Sequence, residues 1–457
     1  MSVNSFDFYP LTWKPDKSKL TRPVYQSLAD LMEQDIISGV LPRDTKLPPQ
    51  RELADYLDIN FTTVTRTYRL CRQKGLIYGV KGSGTFVARF KQKSATVSPA
   101  VTGSMIELGF MEGFDSLNSK MVPVIKKVAS RKNLERLFTY DYPLGMPHHL
   151  NMARQLFDYE PENIAITYGV QNSLSIAVNS VFSRGAKVVI DEFTYPNFIE
   201  LAKNHNLKLI TVPSDDEGML ATKLESICRQ ELISGIYLMP TATNPTTQQI
   251  SLKRRMELAH IIKEYGLILI EDDIMAFLAD NKLPSVSSMV PENSINIFGT
   301  SKTICSGIGV AYMAYPEAMK ESIETTIFNI NVKTSSFNAE IMYRFFADNM
   351  FEELLAEKKV LAKQANEIFD RYFPQNKKKC AINPLCRWLE IKTDISGLDI
   401  EKSIAQVGVR VYHSDRFCIS STGKSYLRVS LSSASNADEL EKGISVLRDY
   451  LAEKNYI

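Results

Sequence analysis

Apolar residues recur every three to four positions along residues 22–40, and this period predicts an amphipathic helix. Residues 51–58 predict a second, short helix, which follows two prolines. Residues 61–75 predict a third helix, for which Asn60 is a favourable N-cap. The amino-terminal part of the chain is therefore expected to hold three helices in succession.

A glycine-rich stretch, residues 81–84, follows the third helix and is flanked by two short apolar segments, 76–78 and 85–87. This pattern is typical of a β-hairpin. Three helices followed by a hairpin predict a winged helix-turn-helix domain. A generic three-helix unit with one polar face is the alternative, and the agreement of cap, wing and charge argues against it.

Beyond residue 105 the pattern changes to short apolar segments that alternate with amphipathic helical stretches. Such alternation predicts an α/β fold with a mainly parallel sheet covered by helices. Ligands bind beyond the carboxyl ends of strands in sheets of this kind, so the residues that follow each strand are candidates for chemistry. The predicted strands are residues 164–167, 187–190, 207–210, 236–239, 267–270 and 295–298.

The composition is that of a chain that can bury large cores, since 44% of its 457 residues are hydrophobic and 23% are charged. No apolar run approaches the roughly 20 residues that a membrane helix needs, and the amino terminus lacks a signal-peptide pattern. The six cysteines are scattered without a C-x-x-C pair, which argues against a disulfide framework and a zinc site. We therefore expect a cytoplasmic protein without a metal site.

The charge is unevenly distributed along the chain. Residues 1–93 hold 15 Lys and Arg against 9 Asp and Glu, a net charge of +6, whereas the whole chain carries +2. A basic small domain attached to a mildly acidic large one indicates that only the first meets a polyanion, which we expect to be double-stranded DNA. The predicted boundaries are 15–88 for the DNA-binding domain, 89–104 for a linker and 105–457 for the large domain.

The third predicted helix carries Thr62, Thr63 and Arg66, whose hydroxyl and guanidinium groups suit base edges and phosphates in the major groove. With the stretches RELADYLDIN, TTVTRTYRLCRQKGLI and KGSGTFV, residues 22–88 resemble the GntR family of bacterial repressors. Phe61 and Thr65 stand where many relatives carry arginine, so the mode of binding carries over better than the operator sequence. The DNA contacts implied by the resemblance are Arg51, Asn60, Thr62, Thr63, Lys81 and Gly82.

Residues with distinct chemistry follow several predicted strands of the large domain. Gly169 opens a helix, where main-chain N–H groups and the helix dipole favour phosphate. Tyr195 follows the second strand and offers a ring for stacking. Asp272 and Lys302 follow the last two strands, and a lysine can form a Schiff base while a carboxylate keeps a pyridinium nitrogen protonated. Each residue alone is weak evidence, but their order and spacing together indicate one site.

These motifs resemble fold-type I pyridoxal-phosphate enzymes, and specifically the aminotransferase-like domain of MocR-type regulators, over nearly all of residues 105–457. The matching stretches are DYPLGMP, ITYGVQNSL, EFTYPNF, ATNPT, LIEDD, GTSKT and YLRVSLS, in the family's order. The resemblance implies pyridoxal 5'-phosphate (PLP) as cofactor, a smaller C-terminal α/β subdomain and a homodimer.

The resemblance also implies a role for each matching residue. Lys302 would form the Schiff base with PLP, Asp272 would pair with the pyridine nitrogen, and Asn244 would bond the ring hydroxyl. Arg428 would take an effector's carboxylate by a two-pronged contact. The remaining cofactor residues implied are Tyr195 on the ring and, at the phosphate, Gly169, Val170, Gln171, Thr300 and the partner subunit's Tyr140.

The large domain departs from the family pattern at three places. Gly309 stands where relatives usually carry an arginine that grips the phosphate. Ile274 and Met275 stand where a tyrosine usually follows the EDD motif, and Thr247 replaces the glycine of N-P-T-G. Losing one charge-assisted phosphate contact costs about 1.5–3 kcal/mol unless a nearby base such as Lys333 substitutes. These departures weaken the expectation that the protein binds the cofactor. They weaken even more the expectation that it catalyses efficient transamination.

Three functions are open at this point. The first is a transcription regulator whose large domain senses an amino compound through external aldimine formation. The second is an aminotransferase with an accessory DNA-binding domain, and the third is a regulator whose large domain is a cofactor-free dimeric scaffold. The predicted wing and recognition helix favour the first and third. Lys302 with Asp272 and Asn244 favours the first over the third, with residual aminotransferase-type activity left open.

Overall fold

The computed structural model describes residues 11–37, 40–42, 45–73, 76–80, 83–88, 95–99, 105–376, 382–393, 395–420 and 423–457. The chain divides into two compact units, Met1–Ser94 and Ala95–Ile457. Two of the predicted DNA contacts, Lys81 and Gly82, and much of the predicted linker lie outside the described residues. Within the described ranges, no helix is both long enough and apolar enough to span a membrane.

The first unit contains the predicted three helices and hairpin. The Asn60 side chain accepts a hydrogen bond from the main-chain N–H of Thr62 at 2.8 Å, which confirms it as the cap of the third helix. The two strands pair antiparallel, and one core of apolar side chains that includes Leu28, Leu53 and Tyr68 joins all three helices. The elements are α1 (Val24–Ile37), α2 (Gln50–Leu57), α3 (Phe61–Gln73), β1 (Ile77–Val80) and β2 (Gly84–Val87).

The second unit is built on a seven-stranded sheet. Seven of the strands up to residue 315 form this sheet. The strands in this part of the chain are β3 (Ile106–Glu107), β4 (Asn163–Thr167), β5 (Lys187–Asp191), β6 (Lys208–Val212), β7 (Ser214–Asp215), β8 (Gly218–Met219), β9 (Gly235–Leu238), β10 (Ile268–Asp272), β11 (Ser294–Gly299) and β12 (Ala311–Tyr315). The sheet has the order β4-β12-β11-β10-β9-β5-β6. All six predicted strands are confirmed. The seventh, β12, was not predicted, and it runs antiparallel to both of its neighbours.

Helices cover both faces of this sheet. Side chains of β10 show the two layers, because Ile270 packs in one apolar cluster and Leu269 in another. The sheet is therefore buried on both sides, as its continuous apolar strands require. The helices are α4 (Met121–Ala129), α5 (Pro147–Arg154), α6 (Val170–Val181), α7 (Pro196–Asn204), α8 (Ala221–Gln230), α9 (Leu252–Tyr265), α10 (Val286–Met289), α11 (Thr300–Thr303), α12 (Lys320–Ile330) and α13 (Ser336–Ala347).

The carboxyl-terminal part of the second unit forms the smaller α/β subdomain that was predicted. Its elements are α14 (Met350–Tyr372), β13 (Cys386–Ile391), α15 (Gly397–Gln406), β14 (Val409–Arg410), β15 (Tyr412–His413), β16 (Ser425–Ser430) and α16 (Ala437–Glu453). Three strands form an antiparallel sheet in the order β13-β16-β15, and β14 pairs with β3. A separate apolar core packs this subdomain together.

A short segment of the predicted linker, residues 95–99, lies against the second unit, and we call it the strap. The main-chain N–H of Val97 donates to Asn197 Oδ1 at 2.9 Å, and the Tyr412 hydroxyl donates to the Ser98 carbonyl at 2.8 Å. The Val97 side chain is buried among aromatic residues that include Tyr412 and Phe417. This part of the predicted linker is thus attached to both the sheet domain and the smaller subdomain.

Candidate functional site

Lys302 lies in α11, the short helix that directly follows β11. Its ammonium lies 5.3 Å from the centre of the Phe110 ring. Burial lowers the pKa of Lys302 from 10.5 to about 8, although the nearby Glu112 carboxylate opposes the shift. The neutral amine needed for condensation with a carbonyl is therefore accessible close to neutral pH.

Asp272 ends β10, the neighbour of β11 in the sheet, and is 1% exposed. The Tyr237 hydroxyl donates to its Oδ2 at 2.9 Å. The other oxygen, Oδ1, is buried and has no hydrogen-bond partner within the described residues. Burial raises the pKa of Asp272 to about 7, since desolvation disfavours the carboxylate. A buried acceptor without a donor is costly in isolation and suits a cationic or N–H-bearing ligand.

Arg428 and Asn244 are held together at the border with the smaller subdomain. Both side chains are 1% exposed, and the Arg428 guanidinium donates to Asn244 Oδ1 at 2.9 Å and to the Gly109 carbonyl at 2.7 Å. Its Nε has no partner in the described part of the chain. The guanidinium lies 4.8 Å from the Phe417 ring centre. Both terminal nitrogens are thus engaged within the protein, and Nε is the buried guanidinium nitrogen that lacks an acceptor in the described residues.

The predicted phosphate residues lie at the amino end of α6. Gly169 precedes the helix with φ 81°, a conformation that glycine adopts readily, and space is open where a side chain would start. Val170 and Gln171 form the first turn, whose N–H groups point out of the helix end. Thr300 is buried, and its hydroxyl donates to the Val310 carbonyl, so this hydroxyl is engaged.

Two residues bear on the arginine that the family pattern would place at the phosphate, and neither supplies an uncommitted cation there. Space is open around the Cα of Gly309, where relatives carry arginine. The Lys333 ammonium donates to the main-chain oxygens of Thr139 and Asp141, on either side of Tyr140. The Lys333 ammonium is thus bonded to the main chain of this loop. Tyr140 itself is 79% exposed.

Tyr195 lies at the start of α7 and is partly buried, and burial raises its pKa to about 12. Its side chain packs against the aromatic cluster that includes Phe193 and Trp388. The structure therefore brings this side chain, together with Lys302, Asp272 and Arg428, to the carboxyl ends of the strands. The roles assigned to these residues remain predictions.

Three residues that interact with Lys302 or Asp272 were missed by sequence reasoning. Tyr237 bonds Asp272 from the adjacent strand. Glu112 has a pKa raised to about 7 by burial and by the nearby Asp115. Lys358 is fully buried in α14 and donates to the Lys302 carbonyl. Their sequence positions carry no motif, and only the strand register and the helix packing bring them to this place.

In the first unit, the predicted DNA-contact residues lie on α2 and at the start of α3. The exposed Arg51 guanidinium lies 5.8 Å from the centre of the Phe61 ring. Thr62 and Arg66 are exposed and Thr63 is partly buried. The Thr62 hydroxyl donates to Asn60 Oδ1 at 2.8 Å. The cap residue Asn60 and the predicted DNA contact Thr62 therefore share one hydrogen-bond network.

Comparisons with known proteins agree with this architecture. Residues 24–87 match the family model of bacterial regulatory proteins, gntR family, and residues 113–447 match the model of aminotransferase class I and II. The chain is 32% identical to an uncharacterized HTH-type transcriptional regulator of Bacillus subtilis, YdeF, over 99% of both chains. It is 23% identical to the vitamin B6 salvage pathway transcriptional repressor PtsJ of Salmonella typhimurium, covering 90% of this chain and 94% of that protein.

Solved structures share the fold of the second unit. The kynurenine aminotransferase of Pyrococcus horikoshii has a TM-score of 0.71 at 18% identity, with 81% of this chain and 98% of that chain covered. The α-aminoadipate aminotransferase LysN of Thermus thermophilus has a TM-score of 0.70 at 20% identity, with 77% and 92% covered. The chain therefore belongs to the MocR-type group of GntR regulators, DNA-binding transcription regulators that join a gntR-family helix-turn-helix to a fold-type I aminotransferase domain.

Proposed function

We propose that this regulator holds PLP in its second unit and uses it to sense an amino compound. The observation that carries the proposal is Asp272 Oδ1, a buried carboxylate oxygen without a partner in the described residues. A protonated pyridine nitrogen supplies the donor that this oxygen lacks. The open space and N–H groups at Gly169 supply a matching place for a phosphate.

The residues present fit the cofactor at each of its polar groups. Asp272 would keep the pyridine nitrogen protonated, while Asn244 would bond the ring hydroxyl and remain tied to Arg428. Tyr195 would stack on the ring. When bound, PLP supplies an aldehyde that condenses reversibly with amines. Lys302 would hold that group covalently, and its lowered pKa favours the neutral amine that condensation requires.

The effector would displace the Lys302 amine with its own and place a carboxylate, where it has one, at Arg428. A ligand changes a regulator only if it binds two conformations differently. The freed Lys302 ammonium and the occupied Arg428 provide such a difference. Arg428 lies 5.7 Å from the centre of the Tyr412 ring, and Tyr412 bonds the strap. In the sequence, the strap directly follows the first unit.

The proposal includes a homodimer. Tyr140 is exposed and its loop is fixed by Lys333, so its ring is available to a neighbouring subunit. Two recognition helices would then read two half-sites whose spacing follows the dimer geometry. Light scattering at micromolar concentration, with PLP bound, should give the dimer mass, and a monomer would contradict this part of the proposal.

A second candidate function is that PLP itself is the effector. Gly309 brings no guanidinium to the phosphate, and Lys333 is bonded elsewhere, so the cofactor is held by fewer charges than in relatives. Weaker retention would make occupancy follow the free PLP concentration. The similar protein PtsJ is a transcriptional repressor of the vitamin B6 salvage pathway, which points the same way. Operator affinity measured against PLP without any added amine would decide, because only this candidate expects a response.

The proposed function is tested by spectroscopy and product analysis. Purified protein mixed with PLP should show a visible absorbance band that Lys302→Ala abolishes. Amino acids and amines that shift the band should also change operator affinity in a gel shift. Keto-acid formation at enzyme-like rates, on the order of 1 s⁻¹ or faster, would instead show an aminotransferase. A protein without any band would be the cofactor-free regulator.

A further inference from the structure

A cavity of about 660 Å³, separate from the cofactor residues, lies on the opposite face of β10. Side chains alternate along a strand, so Glu271 and Asp273 project away from the side that Asp272 faces. Both line this cavity, whereas Asp272 does not. The volume is within the range of small-molecule sites. No role in the proposed function uses these residues.

The cavity contains an unpaired acceptor. Asp273 Oδ2 accepts from the main-chain N–H of Thr241 at 3.0 Å, but its Oδ1 is buried without a hydrogen-bond partner among the described residues. Glu271, by contrast, has a donor at each oxygen, because the N–H of Val286 donates to Oε1 at 3.3 Å and the N–H and hydroxyl of Ser287 donate to Oε2 at 2.7 and 2.6 Å. Asp273 is therefore the group that a ligand would satisfy.

The Arg255 guanidinium in the cavity wall interacts electrostatically with the Asp273 carboxylate but donates no hydrogen bond to Oδ1. Arg255 is 1% exposed, and it donates to the carbonyls of Ile250 and Pro284 at 3.1 and 2.8 Å and to the Thr241 hydroxyl at 3.3 Å. The hydrogen bonds of Arg255 thus go to neutral acceptors, and Asp273 Oδ1 has no hydrogen-bond donor among the described residues. Buried carboxylates are normally paired, so a cationic donor is the complementary ligand group.

Part of the wall is rich in aromatic rings, while Lys282, Asp158 and Glu352 also line the cavity. Phe157, Phe277, Phe346 and Phe351 line the cavity together with Leu355. Aromatic faces attract an ammonium group and pack against an apolar body. A carboxylate oxygen beside such rings selects a ligand with one positive charge and a hydrocarbon or aryl remainder.

We propose that this cavity is a second ligand site, which binds an organic ammonium compound with an aryl or alkyl body. The ammonium donates to Asp273 Oδ1, and the body packs against the phenylalanine rings. The site requires neither PLP nor Lys302, because no covalent bond is formed. Asp273 is adjacent to Asp272 in the sequence, but the cavity is lined by Asp273 and not by Asp272, so the two sites are distinct.

The test uses N,N-dimethylbenzylammonium, a tertiary ammonium that has one N–H to donate and cannot condense with PLP. Calorimetric titration of the full chain should show binding, and Asp273→Asn should weaken it about tenfold or more, the scale of one charge-assisted hydrogen bond. Ala276→Leu, which fills the cavity without touching the charge, should weaken binding as well. Thermal melts of both variants verify that they fold.

The control separates this site from the proposed function. Lys302→Ala should bind the tertiary ammonium with unchanged affinity, even though it loses the PLP absorbance band. Benzyl alcohol, which lacks the charge, should bind more weakly than the ammonium. The proposal is overturned if the wild-type protein gives no binding, if Asp273→Asn and Ala276→Leu both bind as the wild type does, or if Lys302→Ala abolishes binding.

Discussion

The Lys358 ammonium donates to the main-chain oxygen of Lys302 at 2.8 Å, so one buried lysine supports the helix that carries the other. A second bond of 2.8 Å reaches the Ile304 carbonyl. These are carbonyls at the end of α11, which has only four residues and leaves them without helical partners. Lys358 thus acts as a C-cap that comes from a different helix, and it fixes the backbone from which Lys302 extends.

Replacing Lys358 by methionine should therefore destabilise the second unit. The change leaves two buried carbonyls without a donor, each at a cost of about 1–3 kcal/mol in the free energy of unfolding. The matched control is Lys359→Met, because Lys359 bonds Asp280 at the surface and should change stability by less than about 0.5 kcal/mol. Urea denaturation measures both. Equal losses in the two variants would contradict the capping role.

Asp272 should make the cofactor-free protein less stable at alkaline than at acidic pH. Its pKa is raised from 3.8 to about 7 by burial, so the folded state binds the proton more tightly than the unfolded state. This contribution to stability is complete below about pH 4 and is lost as the pH rises through about 7. Asp272→Asn removes the effect and should be more stable than the wild type at pH 8.

The comparison of the two proteins at two pH values tests this assignment. Urea denaturation of the cofactor-free proteins at pH 5 and pH 8 should show the gain of Asp272→Asn mainly at pH 8. Titration with PLP should show weaker binding by the same variant, since the amide is neutral and no longer favours the pyridinium. A variant that loses stability at pH 8 would show that Asp272 is well solvated or paired in the free protein.

The sequence predicted the large sheet well because six of its strands are apolar runs bounded by turn residues. It missed β12, which follows β11 after the short helix α11 and a glycine-containing segment. This strand reverses direction and so breaks the alternation on which the prediction rested. Sequence motifs also placed Asp272 and Lys302 directly after two consecutive predicted strands. They could not reveal the bond from Tyr237 to Asp272, because this depends on the register in which Tyr237 pairs with Ile270.

The cavity behind β10 and the strap were also invisible in the sequence. Asp273 belongs to the EDD motif, and only the pleat of the strand and the positions of the surrounding helices show that it faces a different space from Asp272. Residues 95–99 have linker composition, and only their bonds to Asn197 and Tyr412 show that they are attached. Long-range contacts of this kind leave no periodic signal.

Removing the Tyr412 hydroxyl should loosen the strap. This group accepts from the Ser98 N–H at 3.1 Å and donates to the Ser98 carbonyl at 2.8 Å. Tyr412→Phe should therefore accelerate hydrogen–deuterium exchange in a peptide that covers residues 95–99, while the Asn197 bonds keep part of the protection. Tyr426→Phe is the control, since Tyr426 stacks on Trp388 in the same aromatic cluster. Unchanged exchange in Tyr412→Phe would show that its hydroxyl does not secure the strap.

DNA binding by the first unit should fall steeply with salt, because basic side chains displace counterions from the phosphates. Arg51→Ala should weaken binding to all duplexes by a similar factor and reduce the salt slope by about 1, as expected for a phosphate contact. Changes at Thr62 or Thr63 should instead alter the preference among sequences. Arg448→Ala, an exposed change on α16, controls for net charge. Fluorescence anisotropy over a range of salt concentrations measures these effects.

Removing residues 1–90 should abolish operator binding, and a truncated chain that still bound the operator would place DNA recognition in the second unit.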